Sequence, residues 1–534
     1  MGSACDTASS LTGLYVRALV WYLLGMALLW AVGFESIYAH PTPFYALNHP
    51  AFDGLAVPLT MGAAFAMAYW RGSHRFVARS DTRTALWFVF AGLLLAAAAG
   101  GTWLNTLSAG EAFLDVLVNE AGALVWHVLA FGMFLVFFTA LMRALGRLDW
   151  FAEEISERDA RRMLAGILLF AVVFPCVIAM LRNGPEGIAQ AYRRETYEYI
   201  GDIGKTSSIR TLFSRYLEIL PYLSLHARAA PPGPIALLWV MSCVVGRGAM
   251  ALSLATVAVG ASAVIPLYYW ARDLCGRRVA LTCCMVYVCI PSIVLFTATS
   301  AEILFTPFTI ATLFFFDRAL RRGGIGSAVG AGLLFGVLAL LKFTLIGVGA
   351  YFAFAGLWRL RLREERMRVL QTALLMAAAC LAFHAAVRWW TGFDIVACFW
   401  AAKTHFDMDQ AKLDLITPRL PGWTYRFINP VCWFYFAGIP ASLLFLRRIF
   451  RAAPAARGLF LVTALTLFVL NLLYLGRGEG ERSALYIFPF IALPAAHMLD
   501  EIGRRAGSVA PLPATLAFLA FQCWFTESFF YTYW

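Results

Sequence analysis

Charged residues are scarce in this chain of 534 residues. Only 14% are Asp, Glu, Lys or Arg, whereas 61% are hydrophobic. A water-soluble protein of this length needs far more polar surface to cover its core. The composition therefore excludes a soluble enzyme or a soluble binding domain, and it indicates a chain that is covered mostly by lipid.

Long polar stretches are also lacking. Apolar runs of about twenty residues recur, each long enough to cross a hydrocarbon core of roughly 30 Å. Backbone groups in lipid must be satisfied within the segment, and the runs are too long and uniformly apolar for barrel strands, so they are predicted to be helices. About fifteen spans are predicted, at residues 11–33, 55–70, 84–104, 121–142, 163–181, 248–270, 279–298, 303–317, 325–341, 343–358, 369–387, 429–446, 458–475, 484–499 and 508–526.

The net charge of +12 does not indicate a nucleic-acid partner, because of where the basic residues lie. Arginines cluster in short loops between the spans, at Arg71–Arg83, Arg272–Arg278, Arg318–Arg322, Arg359–Arg368 and Arg447–Arg451. That distribution is typical of cytoplasmic loops. It predicts a multi-pass protein of the inner (plasma) membrane with a cytoplasmic N-terminus. The first apolar run is predicted to be a retained span and not a cleaved signal peptide. Residues 235–246 are too short to cross and are predicted to be interfacial or re-entrant.

Two outer loops are long, 182–247 and 388–428, and long loops often carry function. The active machinery is therefore predicted on the extracytoplasmic face. Residues 1–150 form a separate block of four spans to which we assign no function, followed by a core at 163–534. The eleven cysteines show no metal-ligand spacing and are predicted to be packing residues.

The first outer loop contains three carboxylates, Glu195, Glu198 and Asp202, which a helical start would place on one face. Such a group can act as a general base or hold a divalent cation, so a metal cofactor stays open. The alternative is a solvated acidic face balanced by Arg193 and Arg194.

An amphipathic segment follows, with an apolar stripe at Ile209, Leu212, Phe213, Tyr216, Leu217 and Leu220. It is predicted to lie in the headgroup plane, with packing inside an outer domain as the alternative. His226 and Arg228 then precede the rigid corner Pro231-Pro232-Gly233-Pro234, where they could bind a phosphate.

The second outer loop contains His405, Asp407 and Asp409. Alternating spacing in a flexible loop is weak evidence for a metal site. We expect His405 and the aromatic residues of this loop to contact a sugar or an acceptor, with a lid over the site as the alternative.

From about residue 163 onward the chain resembles the GT-C superfamily of membrane glycosyltransferases, such as the protein O-mannosyltransferases and the lipid A aminoarabinose transferase. The resemblance rests on the segments YEYIGDI, His…PPGP, ARDLCGRRVA, SAEILFTPF, LLKFT and GEGERSALYIFPF. It implies an all-α polytopic fold with a GT-C helical core, large outer loops and interfacial helices, to which the N-terminal block of four helices is added. It also implies transfer of a sugar from a polyprenyl-phosphate donor to a glycan, lipid or protein acceptor.

The resemblance also implies roles for single residues. Asp202 would be the catalytic acidic residue and Glu198 its neighbour, while Lys342 and Arg482 would contact the donor phosphate. Arg228 joins these cations because it lies at the same outer side of the predicted topology. Residues expected to bind substrate are Glu302, His226, Asn429 and His405. Glu481, beside Arg482, offers the alternative of a simple ion pair at an exposed rim.

The chain departs from the family pattern at two positions. Ala230 stands before the paired prolines, where many relatives have a polar or charged residue, and His226 lies four residues upstream. Glu302 replaces the commoner aspartate. The leading alternative function is a transporter or flippase of lipid-linked sugars, but the spans at 248–270, 279–298 and 484–499 carry no Asp, Glu, Lys or Arg. Ion-coupled transporters usually place such residues near the midplane.

Overall fold

The computed structural model describes residues 7, 10–22 and 155–529, apart from 417–424, 451–453 and 474–479, together with single positions between 129 and 150. Within these residues the chain is helical and contains no strand. The predicted all-α polytopic membrane fold is confirmed.

From residue 157 onward the helices are α1 Glu157–Asn183, α2 Glu186–Ala189, α3 Ile209–Ser214, α4 Tyr216–Ile219, α5 Leu225–Arg228, α6 Gly233–Val245, α7 Ala249–Ala261, α8 Val264–Cys275, α9 Arg277–Tyr287, α10 Pro291–Thr299, α11 Thr306–Arg322, α12 Ile325–Leu341, α13 Gly349–Leu360, α14 Arg366–Thr391, α15 Ile395–Ile416, α16 Tyr425–Phe436, α17 Ile439–Phe450, α18 Pro454–Leu473, α19 Gly480–Ser483, α20 Phe488–Ala506 and α21 Pro511–Phe529. Short 3₁₀ helices of three to seven residues occupy Ala191–Arg193, Tyr199–Lys205, Leu220–Tyr222, Ala301–Phe305, Phe343–Val348, Arg363–Glu365 and Leu485–Ile487.

Six helical segments of the described chain are long and apolar enough to cross a membrane, and two bent helix pairs raise the number to eight. The straight segments are Glu157–Leu181, Ala249–Cys275, Ala301–Arg322, Phe343–Leu360, Arg363–Thr391 and Leu485–Ala506. The predicted spans from residue 163 onward lie mainly on helix within the described residues, with breaks at 262–263, 288–290 and 437–438. Residues 23–33 of the first predicted span and 474–475 of the span at 458–475 lie outside the described residues. The predicted spans at 55–70 and 84–104, and most of 121–142, lie outside the described residues.

The predicted span at 429–446 is not one straight helix. Its two halves, in α16 and α17, meet at an angle of 112°. Gly438 lies at the break with φ 89°, a left-handed conformation that favours glycine. The side chain of Gln522 from α21 bonds to the backbone on both sides of the break: its Nε2 donates to the Tyr435 carbonyl, and its Oε1 accepts from the Ile439 N–H, both at 2.8 Å. The Tyr435 carbonyl also accepts from the Gly438 N–H at 2.9 Å. Backbone polar groups in lipid require such partners.

One end of the helical core is rich in arginine ion pairs. Arg278 pairs with Asp500, at 2.5 Å between Nε and Oδ1, and Arg322 pairs with Asp273 at 2.9 Å. In the segment Ala301–Arg322, Glu302 stands at the opposite end from these arginines. At 1.5 Å per residue the two ends are about 30 Å apart, so the first outer loop and the arginine-rich loops occupy opposite ends of the core.

The described part of the N-terminal block packs on this core. Tyr15 is fully buried, and its hydroxyl lies 3.2 Å from the Thr515 hydroxyl in α21. Tyr22 stacks on Tyr435 of α16, with ring centroids 4.7 Å apart. A boundary near residue 150 stays a prediction, but residues 10–22 contact the same helices that surround the α16–α17 bend.

The prediction of a flexible second outer loop at 388–428 is wrong for most of its length. Helix α14 runs on to Thr391, and α15 occupies Ile395–Ile416. Gly392 ends α14 in a left-handed conformation, and Asp394 Oδ1 accepts hydrogen bonds from the N–H groups of Val396 and Ala397. That cap starts a new helix where the sequence was read as a loop.

Candidate functional site

The first outer loop is wound into short turns. The segment before Glu198 is a turn, not the helical start required to align its carboxylates, so Glu195 is exposed while Glu198 and Asp202 are buried. Gly201 permits this winding because the Glu195 carbonyl oxygen lies 2.1 Å from where a Cβ would stand. The prediction that all three carboxylates share one face is therefore wrong.

Asp202 is held on both of its carboxylate oxygens. The Ser224 N–H lies 3.1 Å from each oxygen, and Lys205 Nζ donates to Oδ1 at 2.7 Å. Lys205 also donates to the Tyr222 carbonyl at 2.7 Å. The Asp202 carboxylate thus ties the turn Tyr199–Lys205 to the chain that leads to His226.

The amphipathic segment packs inside the protein for most of its stripe. It is broken at Arg215 between α3 and α4, and Leu212, Tyr216 and Leu220 are at most 1% exposed. Leu217 remains exposed. The Tyr216 hydroxyl donates to the carbonyls of Ala227 and Ala230, so the stripe fixes the corner that carries His226 and Arg228. The packing alternative is the one that these contacts support.

Arg482, His226 and Glu198 form one buried group. Arg482 is 1% exposed; its Nη1 donates to Glu198 Oε1 at 3.1 Å, and its Nη2 lies 3.2 Å from His226 Nε2. Arginine can only donate, so His226 Nε2 accepts and the imidazole proton belongs on Nδ1. Nδ1 lies 3.3 Å from the same Glu198 oxygen. The alternative of an exposed rim ion pair at Arg482 is wrong, because the side chain is buried.

Arg482 stands on the short helix α19, which is fixed by its neighbours. Cys432 of α16 lies with its Sγ 3.2 Å from Glu481 Oε2, and the Ser292 hydroxyl donates to the Glu481 carbonyl at 2.5 Å. Gly480 leaves room for the Trp433 indole, whose Nε1 would lie 2.4 Å from an added Cβ. These contacts hold Arg482 against the first outer loop.

Glu302 and Lys342 form a second ion pair beside this group. Lys342 Nζ donates to Glu302 Oε1 at 3.2 Å, and the Ser300 hydroxyl donates to the other carboxylate oxygen. Glu302 also lies within Coulombic range of Arg482 and His226. Glu198 of the first outer loop therefore meets the cations at 342 and 482 in one cluster, which we call the ion-pair cluster: Glu198, His226, Glu302, Lys342 and Arg482.

Gly233 sets how closely the proline corner approaches Lys342. A Cβ at this position would lie 2.2 Å from the Leu340 carbonyl oxygen and 2.7 Å from its carbon. Only glycine allows the N-terminus of α6 to touch the backbone at the end of α12. The PPGP corner thus positions the helix end that carries Lys342.

We expect Gly233→Ala to lower the free energy of unfolding by about 1–3 kcal/mol, because the obstructing atoms are backbone atoms that cannot rotate away. Displacement of Lys342 should also lower kcat/KM for the sugar donor. Melting temperature in detergent and donor kinetics measure the two effects. Gly204→Ala is the matched control, since nothing lies within 4 Å of its added Cβ. Wild-type stability of Gly233→Ala would show that the corner tolerates a side chain.

Tyr199 is a site residue that the sequence analysis did not select. It stands between Glu198 and Asp202, is 2% exposed, and its ring centroid lies 6.2 Å from that of His226. Burial, reinforced by the charges of Glu302 and Glu198, raises the pKa of Tyr199 well above its ordinary value. Tyr199 lies within the motif YEYIGDI, but the charge pattern of that motif indicates only its acidic residues.

Three predicted residues lie at or beyond the edge of the ion-pair cluster. Arg228 Nη2 lies 3.4 Å from Asp409 Oδ2, which joins the proline corner to α15. Asn429 is buried in α16, the helix that packs beside α19. His405 is half-buried on α15. Their predicted contacts with substrate stay predictions.

The side chains of the described site are not arranged as ligands of a metal ion. Among the described residues, no three His, Cys, Asp or Glu side chains come together as metal ligands. In addition, Glu198, Asp202 and Glu302 each pair with a basic side chain. On α15, Asp407 pairs with Lys403 while Asp409 faces Arg228.

Comparison with known proteins places a family domain over part of this site. Residues 229–390 match the family dolichyl-phosphate-mannose-protein mannosyltransferase. The matched segment is less than a third of the chain, and it includes the PPGP corner, Glu302 and Lys342. No curated protein matches the chain. The chain therefore carries a GT-C family domain, which supports a membrane glycosyltransferase with a polyprenyl-phosphate sugar donor.

Proposed function

We propose that this protein transfers a sugar from a polyprenyl phosphate to an acceptor on the extracytoplasmic face of the inner membrane, and that the ion-pair cluster is its active site. The single observation that carries the proposal is that carboxylates and cations from four separate parts of the chain meet beside the family domain. The arginine-rich loops lie at the other end of the core, and arginine-rich loops are typical of the cytoplasmic side.

Arg482 and Lys342 are the proposed contacts of the donor phosphate, with Arg228 at the entrance. Guanidinium groups bind phosphate oxygens through paired hydrogen bonds, and cations offset charge on a departing phosphate. Each of these cations already has a carboxylate partner, at Glu198, Glu302 and Asp409 respectively. The donor phosphate must therefore share the cations with these carboxylates or displace one of them.

Glu198 is the proposed proton acceptor. Its Oε2 is buried and makes no hydrogen bond to any described residue, whereas both oxygens of Asp202 accept bonds from Ser224. A base needs a free lone pair within reach of the proton that it removes. The contacts of Asp202 favour a positioning role over its predicted part as the catalytic carboxylate.

The proposed reaction is a displacement at the anomeric carbon of the donor sugar. The acceptor hydroxyl oxygen forms the new bond to that carbon as the bond to the phosphate oxygen breaks. The hydroxyl proton passes to Glu198, and polyprenyl phosphate leaves with its negative charge facing Arg482 and Lys342. His226, Glu302, Asn429 and His405 are the proposed contacts of the donor sugar or the acceptor, whether that is a glycan, a lipid or a protein.

We expect purified protein to release polyprenyl phosphate from at least one member of a panel of polyprenyl-phosphate sugars. Mannose is the first member to test, because the matched family's name specifies it. Thin-layer or mass-spectrometric detection of the released lipid measures the reaction, with Glu198→Gln as the inactive control. Movement of the intact donor across liposomes without its cleavage would instead support a flippase and overturn the proposal.

A further inference from the structure

Tyr199 lies beside the ion-pair cluster, with its ring centroid 6.2 Å from that of His226, and its hydroxyl has no role in the proposed reaction. Its side chain is 2% exposed and lies within Coulombic range of Glu198, Glu302, Asp202 and Arg482. The turn Tyr199–Lys205 holds it there, because Asp202 anchors the turn to Ser224. Its position is therefore fixed by the same contacts that fix Glu198.

The hydroxyl makes no hydrogen bond to any residue in the described part of the chain. The Tyr199 side chain is 2% exposed, so little water can reach its hydroxyl. Hydroxyl groups in protein interiors nearly always have a hydrogen-bond partner. Glu198 Oε2 is a buried polar atom that no described residue satisfies. These two polar atoms indicate a ligand that completes their hydrogen bonds.

The chemistry of the hydroxyl identifies the part of the ligand that it contacts. Burial among carboxylates keeps the phenol protonated, so it offers a hydrogen-bond donor. Its neighbour Arg482 also only donates. A phosphate has several oxygens and can accept hydrogen bonds from both Tyr199 and Arg482. The hydroxyl of the acceptor substrate instead directs its proton to Glu198.

We propose that the Tyr199 hydroxyl donates a hydrogen bond to a non-bridging oxygen of the donor phosphate. The inference rests on the proposed function and extends it by adding a neutral donor to the phosphate site. This bond strengthens as negative charge builds on the phosphate during departure, which makes Tyr199 a catalytic residue.

Tyr199→Phe tests the proposal because it removes the hydroxyl and little else. We expect kcat to fall about 10- to 100-fold, with a small change in KM, because the bond is strongest in the transition state. Inhibition by added polyprenyl phosphate should weaken by about tenfold, since the product presents the same phosphate oxygens. The melting temperature should stay close to that of the wild type, because the substitution keeps the buried ring and breaks no hydrogen bond between described residues.

Tyr15→Phe is the matched control, since it removes a buried hydroxyl that bonds to Thr515 far from the cluster. It should leave kcat and product inhibition unchanged. Wild-type kcat and product inhibition in Tyr199→Phe would overturn the role of this tyrosine. A wild-type enzyme that releases no polyprenyl phosphate from any donor would instead overturn the proposed function itself.

Discussion

Replacing Glu198 with Gln is expected to lower kcat by about 10²- to 10⁴-fold, the range typical of a lost general base. The amide keeps the size of the side chain and can still accept a hydrogen bond from Arg482, but it cannot take the acceptor proton. KM for the donor should change little. Rates of polyprenyl phosphate release at saturating donor measure the effect.

Asp202→Asn distinguishes the role of the Asp202 carboxylate from that of the Glu198 carboxylate. Loss of its charge weakens the bonds to Lys205 and Ser224, so we expect a lower melting temperature and a smaller loss of kcat than in Glu198→Gln. Glu218→Gln, an exposed carboxylate of the same loop paired with Arg215, is the matched control and should behave as wild type. If Asp202→Asn were the less active variant while remaining folded, Asp202 would be the base and Glu198 its neighbour.

Arg482→Ala is expected to lower kcat/KM for the donor by at least about 100-fold. The substitution removes the proposed clasp on the phosphate, and it also leaves Glu198 buried without its ion-pair partner. Breaking a buried pair in this way costs about 3–5 kcal/mol of stability. Donor kinetics and thermal unfolding therefore have to be measured together.

The double variant Arg482→Ala/Glu198→Gln separates stability from function. Without the carboxylate charge, the melting temperature should recover, whereas activity should stay low. Arg482→Lys keeps the charge but loses the planar fork, and it should bind donor better than Arg482→Ala without matching the wild type. Arg215→Ala, an exposed arginine of the first outer loop, is the control. Wild-type donor kinetics in a folded Arg482→Ala protein would show that this arginine is structural only.

The helical architecture could be predicted because it follows from composition alone. Apolar runs of sufficient length must be helices in lipid, and the positions of α1, α11 and α20 follow directly from them. The bend at Gly438 could not be predicted, because the apolar run is continuous across it. The Ile439 N–H at the bend bonds to Gln522, which lies 83 residues downstream. Hydropathy reports where a segment is buried, not its direction.

The residues of the site were partly predictable, but their partners were not. The acidic motif and the basic residues at the ends of outer helices were visible in the sequence. The pairing of Glu198 with Arg482 spans 284 residues and depends on how α19 packs against α16. Glu195 was grouped with the others because a helical spacing was assumed, and the turn at Gly201 removes it. Tyr199 was missed because an uncharged side chain has no signal in a charge pattern.

The bend between α16 and α17 also has a consequence for the order in which the protein is made. The Ile439 N–H emerges from the ribosome well before its partner Gln522 does, because the amide lies 83 residues after Ile439. Until α21 inserts, this N–H has to be met by water or by the insertion machinery. The bend, whose helix α16 packs against the α19 helix that carries Arg482, is therefore completed late in biosynthesis.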